Sequence, residues 1–474
     1  MTILQQLQTK NDWWIDNKFR PVESLWPNRT MFQVLLENLA HPLMLNIVGL
    51  RRVGKSTLLK QLIGTLLEQG IESKNICYFL FDYASQIKKA EFLDDVISTY
   101  LDEILLTRIT QLKERIYVFL DEIQYIENWE AILKKYYDLS NKKIKFIVTG
   151  SQSILLKGKS KESLAGRIFD KYLPPLSFLE FLNINHEKVQ SIDFDLFNLE
   201  TKFVDISGFD LHHGARIRNL SREYIISGQF PETRQVTPIA LRHEYITESV
   251  LGKVLEDCIR IYKIEKSDEF KLVAFHLLQN ISSVFELKNI GREIALSKVT
   301  LEKYLEYLKD SYIVEILYKY HKSLIKQGRL SKKLYTTCVN FTCAFNHYKQ
   351  EHIEEVPDAF GKIIENLVYN ILAQKYQEDK LGHELSFWRQ EDKEIDFIVQ
   401  KEQKQIAIEI KFTSNVNIRK FKVLTDYIQD KNLDYGIVIT KDRLEKRKIN
   451  EQTIYFLPYY LLLLVSNTLV LTAE

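Results

Sequence analysis

Short apolar runs alternate with helical patterns through the first third of the chain. Four near-continuous runs have the length of strands, and a helical pattern extends from about Lys55 to Glu68. The four runs are Leu43–Val48, Asn75–Asp82, Ile116–Leu120 and Ile144–Thr149. Apolar strands separated by helices are typical of a parallel sheet that is covered on both faces. The pattern therefore predicts an α/β fold for this part of the chain.

The hydrophobic pattern changes further along the chain. From about Asn185 to Ser221 the sequence is polar and shows no clear period, which predicts an insertion or a connector. A strong helical pattern returns near Leu241 and continues to about Lys319. A second α/β region begins near Val356. No repeat of 20–50 residues is visible, so a solenoid is not expected.

Composition narrows the class of protein. The chain has 474 residues, of which 45% are hydrophobic and 12% aromatic, so it can bury several cores and is not a disordered chain. Its 4 cysteines are scattered, which favours a reducing compartment, and we expect a cytoplasmic protein. The N-terminus lacks the pattern of a signal peptide. The apolar tail Ile454–Val465 is 12 residues long, whereas a spanning helix needs about 20, so we expect a buried core segment and no membrane partner.

The strongest motif lies directly after the first predicted strand. Gly49-Leu-Arg-Arg-Val-Gly-Lys-Ser56 matches G-x-x-x-x-G-K-[ST] and precedes a predicted helix. The glycines let backbone N–H groups point at phosphate oxygens, and the helix N-terminus adds its positive dipole. Lys55 would contact the β- and γ-phosphates, and Ser56 would bind Mg²⁺. The predicted ATP-binding residues of this loop are Gly49, Arg51, Arg52, Val53, Gly54, Lys55, Ser56 and Thr57.

Two adjacent acids end the third predicted strand. Asp121 and Glu122 would lie beside the phosphate loop, at the edge where open α/β sheets bind ligands. We expect Asp121 to bind Mg²⁺ together with Ser56, and Glu122 to act as the general base for water. One acid for the metal and one for water suits hydrolysis better than binding alone. The alternative is that the acids merely end a strand.

Polar residues after the fourth strand complete this set of candidates. Thr149, or alternatively Ser151, would orient the attacking water or sense the γ-phosphate. Arg167 is a candidate finger that stabilises charge, in cis or from a neighbouring subunit. An ordinary turn at Thr149–Ser151 and a surface charge at Arg167 are the alternatives.

The middle of the chain has the pattern of a helix-turn-helix. A short helix within Glu286–Ala295, a turn and a longer helix from Thr300 to Asp310 are followed by the start of a hairpin at Ile313–Tyr320. A basic run would then form a wing; it comprises Lys319, Lys322, Lys326, Arg329, Lys332 and Lys333.

Local charge favours a nucleic-acid partner for this segment. The whole chain carries a net charge of only +2, but residues 261–335 contain 14 basic and 9 acidic residues. A basic patch on a helix-turn-helix is the expected footprint of DNA binding. The alternative is that the module packs only against protein, and Glu302 and Glu306 on the second helix weaken attraction to phosphate.

The last part of the chain carries a pattern of acids and a lysine. Asp396 lies at one predicted strand, and Glu409 and Lys411 alternate on one face of the next. With Glu365 on an upstream helix, these acids would bind one or two Mg²⁺ or Mn²⁺ ions, and Lys411 would position the attacking water. The alternative is an exposed strand face with alternating charges. Cys338, Cys343 and His347 lack a fourth ligand at a recognised spacing, so zinc is not expected.

Several motifs in a fixed order carry a resemblance to a known family. They are GLRRVGKSTLL, LDEIQ followed by Trp129, VTGSQSILL, SLAGR, PLSFLEF at Pro175–Phe181 and SGQFPE at Ser227–Glu232. The chain resembles the archaeal-type AAA+ P-loop ATPases, close to the signalling ATPases with numerous domains. The resemblance implies an AAA ATPase domain, a helical winged-helix part and a C-terminal domain similar to the PD-(D/E)xK nucleases. Ile395 replaces the proline that usually precedes the first aspartate of that pattern.

Together these features predict an organisation and two hypotheses for function. We expect an AAA+ P-loop ATPase domain at 1–220, a helical lid and winged helix at 221–335, and a restriction-endonuclease-like α/β domain at 336–474. In the first hypothesis, Mg-ATP hydrolysis drives a switch coupled to DNA binding or cleavage. In the second, a nucleotide switch scaffolds protein partners and the nuclease-like domain does not cut. ATP is the expected ligand, and DNA and a second copy of the chain are candidate partners.

Overall fold

The computed structural model describes residues 1–16, 18–81, 89–151, 164–187, 189, 195–321, 331–351, 353–376, 385–412 and 421–465. The chain divides into two compact units, one comprising Met1–Pro175 with Asp310–Tyr312, the other Leu176–Lys309 with Ile313–Glu474. The three-domain division stays a prediction. Within the described residues, no helix is both long and apolar enough to cross a membrane.

The first unit contains a parallel five-stranded sheet with the order β2-β3-β4-β1-β5. Its strands are β1 Met44–Val48, β2 Ile76–Leu80, β3 Ile116–Asp121, β4 Ile144–Gly150 and β5 Ile168–Tyr172. Its α-helices are Ile3–Lys10, Met31–Leu39, Lys55–Glu68, Ala90–Thr99 and Trp129–Leu139. The first four strands are the four predicted apolar runs, and β1, β3 and β4 are buried along their whole length. The predicted α/β fold with a parallel sheet is confirmed.

The second unit begins with helices. They are Phe178–Ile184, Leu199–Ser227, Ile239–Glu244, Lys253–Ile261, Ser267–Gln279, Leu287–Glu293 and Lys298–Asp310. Three strands follow the order β6-β8-β7, with β6 Ser283–Phe285, β7 Val314–Tyr318 and β8 Lys332–Thr336, all pairs being antiparallel. The predicted short helix, turn and longer helix form, and β7 pairs with β8 in antiparallel fashion, while the winged-helix assignment stays a prediction. The wing residues Lys322, Lys326 and Arg329 lie outside the described residues.

The rest of the second unit is built on a mixed six-stranded sheet with the order β13-β14-β12-β11-β10-β9. The strands are β9 Leu385–Gln390, β10 Lys393–Lys401, β11 Lys404–Lys411, β12 Gly436–Thr440, β13 Glu445–Ile449 and β14 Gln452–Pro458. The helices are Val339–Phe345, Pro357–Tyr376, Lys422–Lys431 and Tyr459–Leu462. The apolar tail forms β14 and the final helix and is buried, as predicted.

The stretch from Asn185 to Ser221, which the sequence predicts to be an insertion or a connector, is helical from Leu199 onward. Leu199–Ser227 is one continuous helix of 29 residues, and the predicted boundary after residue 220 falls inside it. Its buried residues include Leu199, Ile206, Phe209, Gly214 and Ile217, which recur at intervals of three to seven positions among mostly polar residues. A single narrow apolar stripe of this kind gives a weak periodic signal. The stripe joins one hydrophobic core with β7, β8, the helix Pro357–Tyr376 and the six-stranded sheet.

Candidate functional sites

The phosphate loop lies between β1 and the helix Lys55–Glu68, and two glycines shape it. A Cβ atom added to Gly49 would lie 2.3 Å from the carbonyl oxygen of Leu173, so only glycine fits there. Gly54 has a φ of +98°, in the left-handed region that favours glycine, and it caps the helix. The backbone therefore curls at both ends of the loop, as the motif predicts.

Two cations stabilise the loop through its carbonyl groups. The Nζ atom of Lys55 donates to Gly49 O at 3.1 Å and Leu50 O at 2.9 Å, and this side chain is buried. Arg29 donates to Val53 O at 2.6 Å and to Pro174 O at 2.8 Å. Sequence reasoning missed Arg29 because it lies outside the motif and reaches the loop only through the fold.

Asp121 ends β3 and is completely buried. Hydrogen bonds join its carboxyl group to the hydroxyls of Tyr78, at 2.8 Å, Ser56 and Thr149. Burial, and then the charge of Glu122, raises the pKa of Asp121 despite these bonds. The predicted magnesium pair, Ser56 and Asp121, is thus in direct contact. A nearby divalent cation would offset the cost of the buried charge.

Glu122 follows in a left-handed conformation, with a φ of +58°, which is uncommon for a residue with a side chain. Its N–H donates to Thr149 Oγ1 at 2.9 Å. Its carboxylate accepts a hydrogen bond from Gln124, whose Nε2 atom also donates to Ser151 Oγ at 3.0 Å. Strained backbone that the surroundings hold in place is common at functional sites. Gln124 was missed by sequence reasoning, since nothing in its spacing shows that it contacts Glu122.

The residues present fit Mg-ATP. The loop has a glycine-shaped cradle, a lysine, and a hydroxyl in contact with a buried carboxyl group that is short of compensating charge. The guanidinium of Arg51 donates to the hydroxyl of Tyr125, in the short helix that follows β3. The cofactor roles of Arg51, Arg52, Val53 and Thr57 stay predictions.

Arg167 lies away from the phosphate loop. It directly precedes β5, whose first residue, Ile168, pairs in parallel with Met44 at the start of β1, whereas the loop follows the end of β1. Its guanidinium makes an ion pair with Asp138, with Nε 3.2 Å and Nη2 3.4 Å from the carboxylate oxygens. Because Arg167 lies at the amino end of the strands and the phosphate loop at their carboxyl end, Arg167 does not act as an arginine finger on the loop of its own chain. A finger supplied to a neighbouring subunit stays a prediction.

The second candidate site, which we call the acidic centre, consists of Glu365, Glu394, Asp396 and Glu409. Glu365 lies on the helix Pro357–Tyr376, Glu394 and Asp396 on β10, and Glu409 on β11. Asp396 sits where the pairing of β10 with β9 shifts register, and its Oδ2 atom accepts the N–H of Ile410 at 2.8 Å. The structure therefore brings together the three acids that sequence reasoning selected. Glu394 was missed as a member of the centre.

A lysine from outside the predicted set enters the acidic centre. The Nζ atom of Lys333 lies 3.0 Å from Glu365 Oε1, 2.7 Å from Glu394 Oε1 and 3.2 Å from Asp396 Oδ1. Lys333 was expected on a basic wing, but its side chain is only 3% exposed. That expectation is wrong for this residue. β8 is the central strand of its sheet, and alternation along the strand turns Lys333 toward the acids and Lys332 away from them.

Burial and mutual repulsion control ionisation in the acidic centre. Burial, followed by the charge of Asp396, raises the pKa of Glu365 to about 7 and that of Glu409 to about 8. Burial opposes the charge of Lys333, but the carboxylates of Asp396, Glu365 and Glu394 hold its pKa above the usual value. Lys411 forms an ion pair with Glu409, so its amine is paired with an acid as the structure stands.

The cysteines behave as core residues. Cys338 and Cys343 are fully buried, and burial raises the pKa of both thiols well above the ordinary value. Cys338 Sγ donates to Gln229 Oε1 at 3.2 Å.

Comparison with known families assigns part of the chain. Residues 41–182 match the AAA domain family. This segment is therefore similar to the AAA domain family, and its parallel sheet and phosphate loop agree with that similarity. Residues 218–347 and 360–462 match two families described as domains of unknown function, DUF8612 and DUF4143.

Relatives share most of the length of the chain. An uncharacterized protein of Methanocaldococcus jannaschii, MJ1544, is 25% identical over 442 residues, covering 89% of this chain and 90% of the relative. An uncharacterized protein of Haemophilus influenzae is 26% identical over 379 residues, covering 77% of this chain and 82% of the relative.

Among solved structures, the chain is similar to Aeropyrum pernix Orc1 in complex with DNA, with a TM-score of 0.31 and 14% identity over 71% of this chain and 96% of that one. It is also similar to Cdc6p from Pyrobaculum aerophilum, with a TM-score of 0.28 and 14% identity over 71% of this chain and 97% of that one.

Proposed function

We propose that the chain binds and hydrolyses Mg-ATP and that this reaction drives a regulatory switch. The observation that carries the proposal is the convergence of a glycine-shaped phosphate loop with the buried Asp121 and the adjacent Glu122. A loop that only bound phosphate would not need two acids of different environment at the same edge of the sheet.

The residues divide the work of hydrolysis. Lys55 and the loop N–H groups would bind the phosphates, and Ser56 and Asp121 would hold Mg²⁺, which would supply positive charge to the transferred phosphoryl group. Glu122 takes the proton of the attacking water, because it lies beyond the strand end and is only partly buried. Gln124 and Thr149 hold Glu122 in place through its carboxylate and its N–H.

Lys55→Ala tests nucleotide binding. Removing the ammonium takes away the point charge for the β- and γ-phosphates and the loop's own internal hydrogen bonds, so we expect ATP binding to be lost in a calorimetric titration. Lys60→Ala is the matched control, since Lys60 lies on the same helix but pairs with Glu23 at 2.6 Å. Retained ATP affinity in a folded Lys55→Ala chain refutes the assignment.

The second candidate function is DNA binding or metal-dependent cleavage coupled to the ATPase. The observation that favours it is the convergence of Glu365, from a helix, with Asp396, Glu409 and Lys411 from the adjacent strands β10 and β11. The helix-turn-helix order and the excess of basic residues in 261–335 favour DNA as the partner. We propose the winged helix as the module that contacts it.

The ion pairs of the acidic centre limit this second candidate. Lys333 holds three of its carboxylates, and Lys411 holds the fourth. As it stands, the centre favours the nucleotide switch whose nuclease-like domain does not cut. Plasmid incubated with Mg²⁺ or Mn²⁺, with and without ATP, separates the two functions.

A further inference from the structure

One ammonium group makes contacts in the acidic centre that resemble those of a bound cation. Lys333 Nζ lies within 3.2 Å of oxygens from Glu365, Glu394 and Asp396, which come from a helix and a strand. Divalent cations such as Mg²⁺ bring together carboxylates from separate elements in the same way, through oxygen ligands. In the acidic centre, the Lys333 side chain supplies the positive charge that a metal ion would otherwise supply.

The backbone fixes Lys333 in this position. Lys333 pairs with Val284 of β6 on one side and with Leu317 of β7 on the other. The side-chain amide of Asn366 accepts the N–H of Thr336 and donates to its carbonyl, both at 2.7 Å, so β8 is fastened to the helix that carries Glu365.

Tyr335 strengthens the same attachment. Two positions along β8 from Lys333, its hydroxyl donates to Glu365 Oε1 at 2.8 Å. Its ring stacks on Tyr369, with centroids 4.2 Å apart. Lys333 is therefore held at three places, by its own sheet, by Asn366 and through its neighbour Tyr335.

The remaining oxygens do not fit a metal ion. Asp396 Oδ2 accepts the N–H of Ile410, and Glu409 Oε1 is paired with Lys411. Among the described residues, Glu409 Oε2 is buried without a hydrogen-bond partner, and no three His, Cys, Asp or Glu side chains are arranged to hold a metal. Lys333 and Lys411 therefore already pair with the carboxylates through which Mg²⁺ or Mn²⁺ would bind.

We propose that Lys333 is a built-in cation that replaces a divalent metal in the acidic centre, so that the wild-type chain assembles this centre without one. This replacement of a metal ion depends on the single positive charge of the Lys333 ammonium group. Without that ammonium, Glu365, Glu394 and Asp396 would face one another with Glu409 nearby, which is an oxygen-ligand site for Mg²⁺ or Mn²⁺. This property is independent of the phosphate loop and of the proposed ATPase.

The test is a Mn²⁺ titration of the nucleotide-free full-length chain. Calorimetry measures Mn²⁺ binding, and electron paramagnetic resonance measures the concentration of free Mn²⁺. Lys333→Met keeps the apolar stem and removes the charge, and we expect it to bind Mn²⁺ at least about tenfold more tightly than the wild type. Adding Asp396→Asn to this variant should abolish the gain, which assigns the ion to the acidic centre.

Lys332→Met is the matched control. Lys332 is the preceding residue of β8, and its ammonium lies 5.4 Å from the centroid of the Tyr318 ring rather than on the acids. Its loss should leave Mn²⁺ affinity at the wild-type level. Mn²⁺ should also raise the melting temperature of Lys333→Met while leaving that of the wild type unchanged.

Two results overturn the proposal. One is a folded Lys333→Met chain that gains no Mn²⁺ binding. The other is tight Mn²⁺ binding by the wild-type chain, if the Asp396→Asn change abolishes that binding. This comparison leaves Lys333 unchanged, so it is decisive even where Lys333→Met fails to fold. Neither outcome depends on ATP hydrolysis, so failure here and failure of the ATPase assignment are distinguishable.

Discussion

Gln124 connects the candidate base to the end of β4. Its Nε2 atom donates to the Glu122 carboxylate and to Ser151 Oγ, and the side chain is buried. Because a base must be held at hydrogen-bond distance from the attacking water, a residue that orients it contributes to turnover without touching ATP. Gln124 is therefore a positioning residue.

We predict that Gln124→Leu, which keeps the volume and removes the amide, lowers kcat for ATP by about tenfold and leaves the Kd for ATP unchanged. Steady-state kinetics and a binding titration on the same preparation separate these two effects. Ser151→Ala is the control that removes only the second partner of Gln124, and its loss of kcat should be smaller. A folded Gln124→Leu chain with unaltered kcat contradicts a positioning role.

Prediction from sequence succeeded for residues whose place follows from a local motif. The phosphate loop and Asp121–Glu122 lie where the strand–turn–helix pattern puts them, since a loop after a parallel strand must lie at the carboxyl edge of the sheet. Lys333 was placed on an exposed wing, because a basic run gives no sign that one of its members meets acids about 30 to 60 positions away.

At the scale of elements, an ion-pair cluster fastens the helix Leu199–Ser227 to the rest of the second unit. Glu354 accepts hydrogen bonds from Arg218, at 2.7 Å, and Arg222, at 2.8 Å, and pairs with Lys441 at 3.0 Å. Although burial acts to raise it, hydrogen bonds from Arg222, Arg218 and Lys441 lower the pKa of Glu354 to about 2.

This shift sets the direction of a pH dependence. A carboxyl group whose pKa is lower in the folded chain stabilises it above the ordinary value of 4.5, and the contribution is lost as the pH falls toward about 2. We predict that Glu354→Gln lowers the free energy of unfolding of the second unit by about 2 kcal/mol at pH 7, because three cations lose their partner.

Urea unfolding of both chains between pH 7 and pH 3 checks this, and the difference should shrink as the pH falls. Glu351→Gln is the control, because Glu351 is exposed and lies in the same connection. A difference that stays constant with pH would mean that Glu354 acts through packing rather than through its charge.

Elements were predictable from the sequence where periodicity was strong. Continuous apolar runs marked β1 to β4, and the short and long helices before β7 were recognised from apolar residues at helical spacing. The helix Leu199–Ser227 was missed because its buried stripe is narrow and its glycines, Gly208 and Gly214, are poor helix formers. Packing against the core of the second unit, rather than propensity, stabilises it.

At the scale of the whole molecule, the proposed ATPase site lies in the first unit, and the acidic centre occupied by Lys333 lies in the second. We predict that the wild-type chain leaves plasmid uncut in Mg²⁺ or Mn²⁺, with or without ATP, because Lys333 holds the carboxylates that a metal would need. Gel analysis of nicked and linear products measures this. Cutting that disappears in Lys411→Ala would instead establish the nuclease and contradict the account of Lys333.

ATP turnover by the Glu122→Gln variant shows whether Glu122 is the general base of an ATPase. The amide keeps the size of the side chain but cannot accept the proton of water, so we predict that Mg-ATP binds with wild-type affinity while turnover falls by about 100-fold or more. Glu127→Gln, a change at an exposed residue of the same loop, should turn over ATP at the wild-type rate. Undiminished turnover in Glu122→Gln, or a wild-type chain that binds ATP and never hydrolyses it, would contradict the proposed ATP hydrolysis with Glu122 as its base.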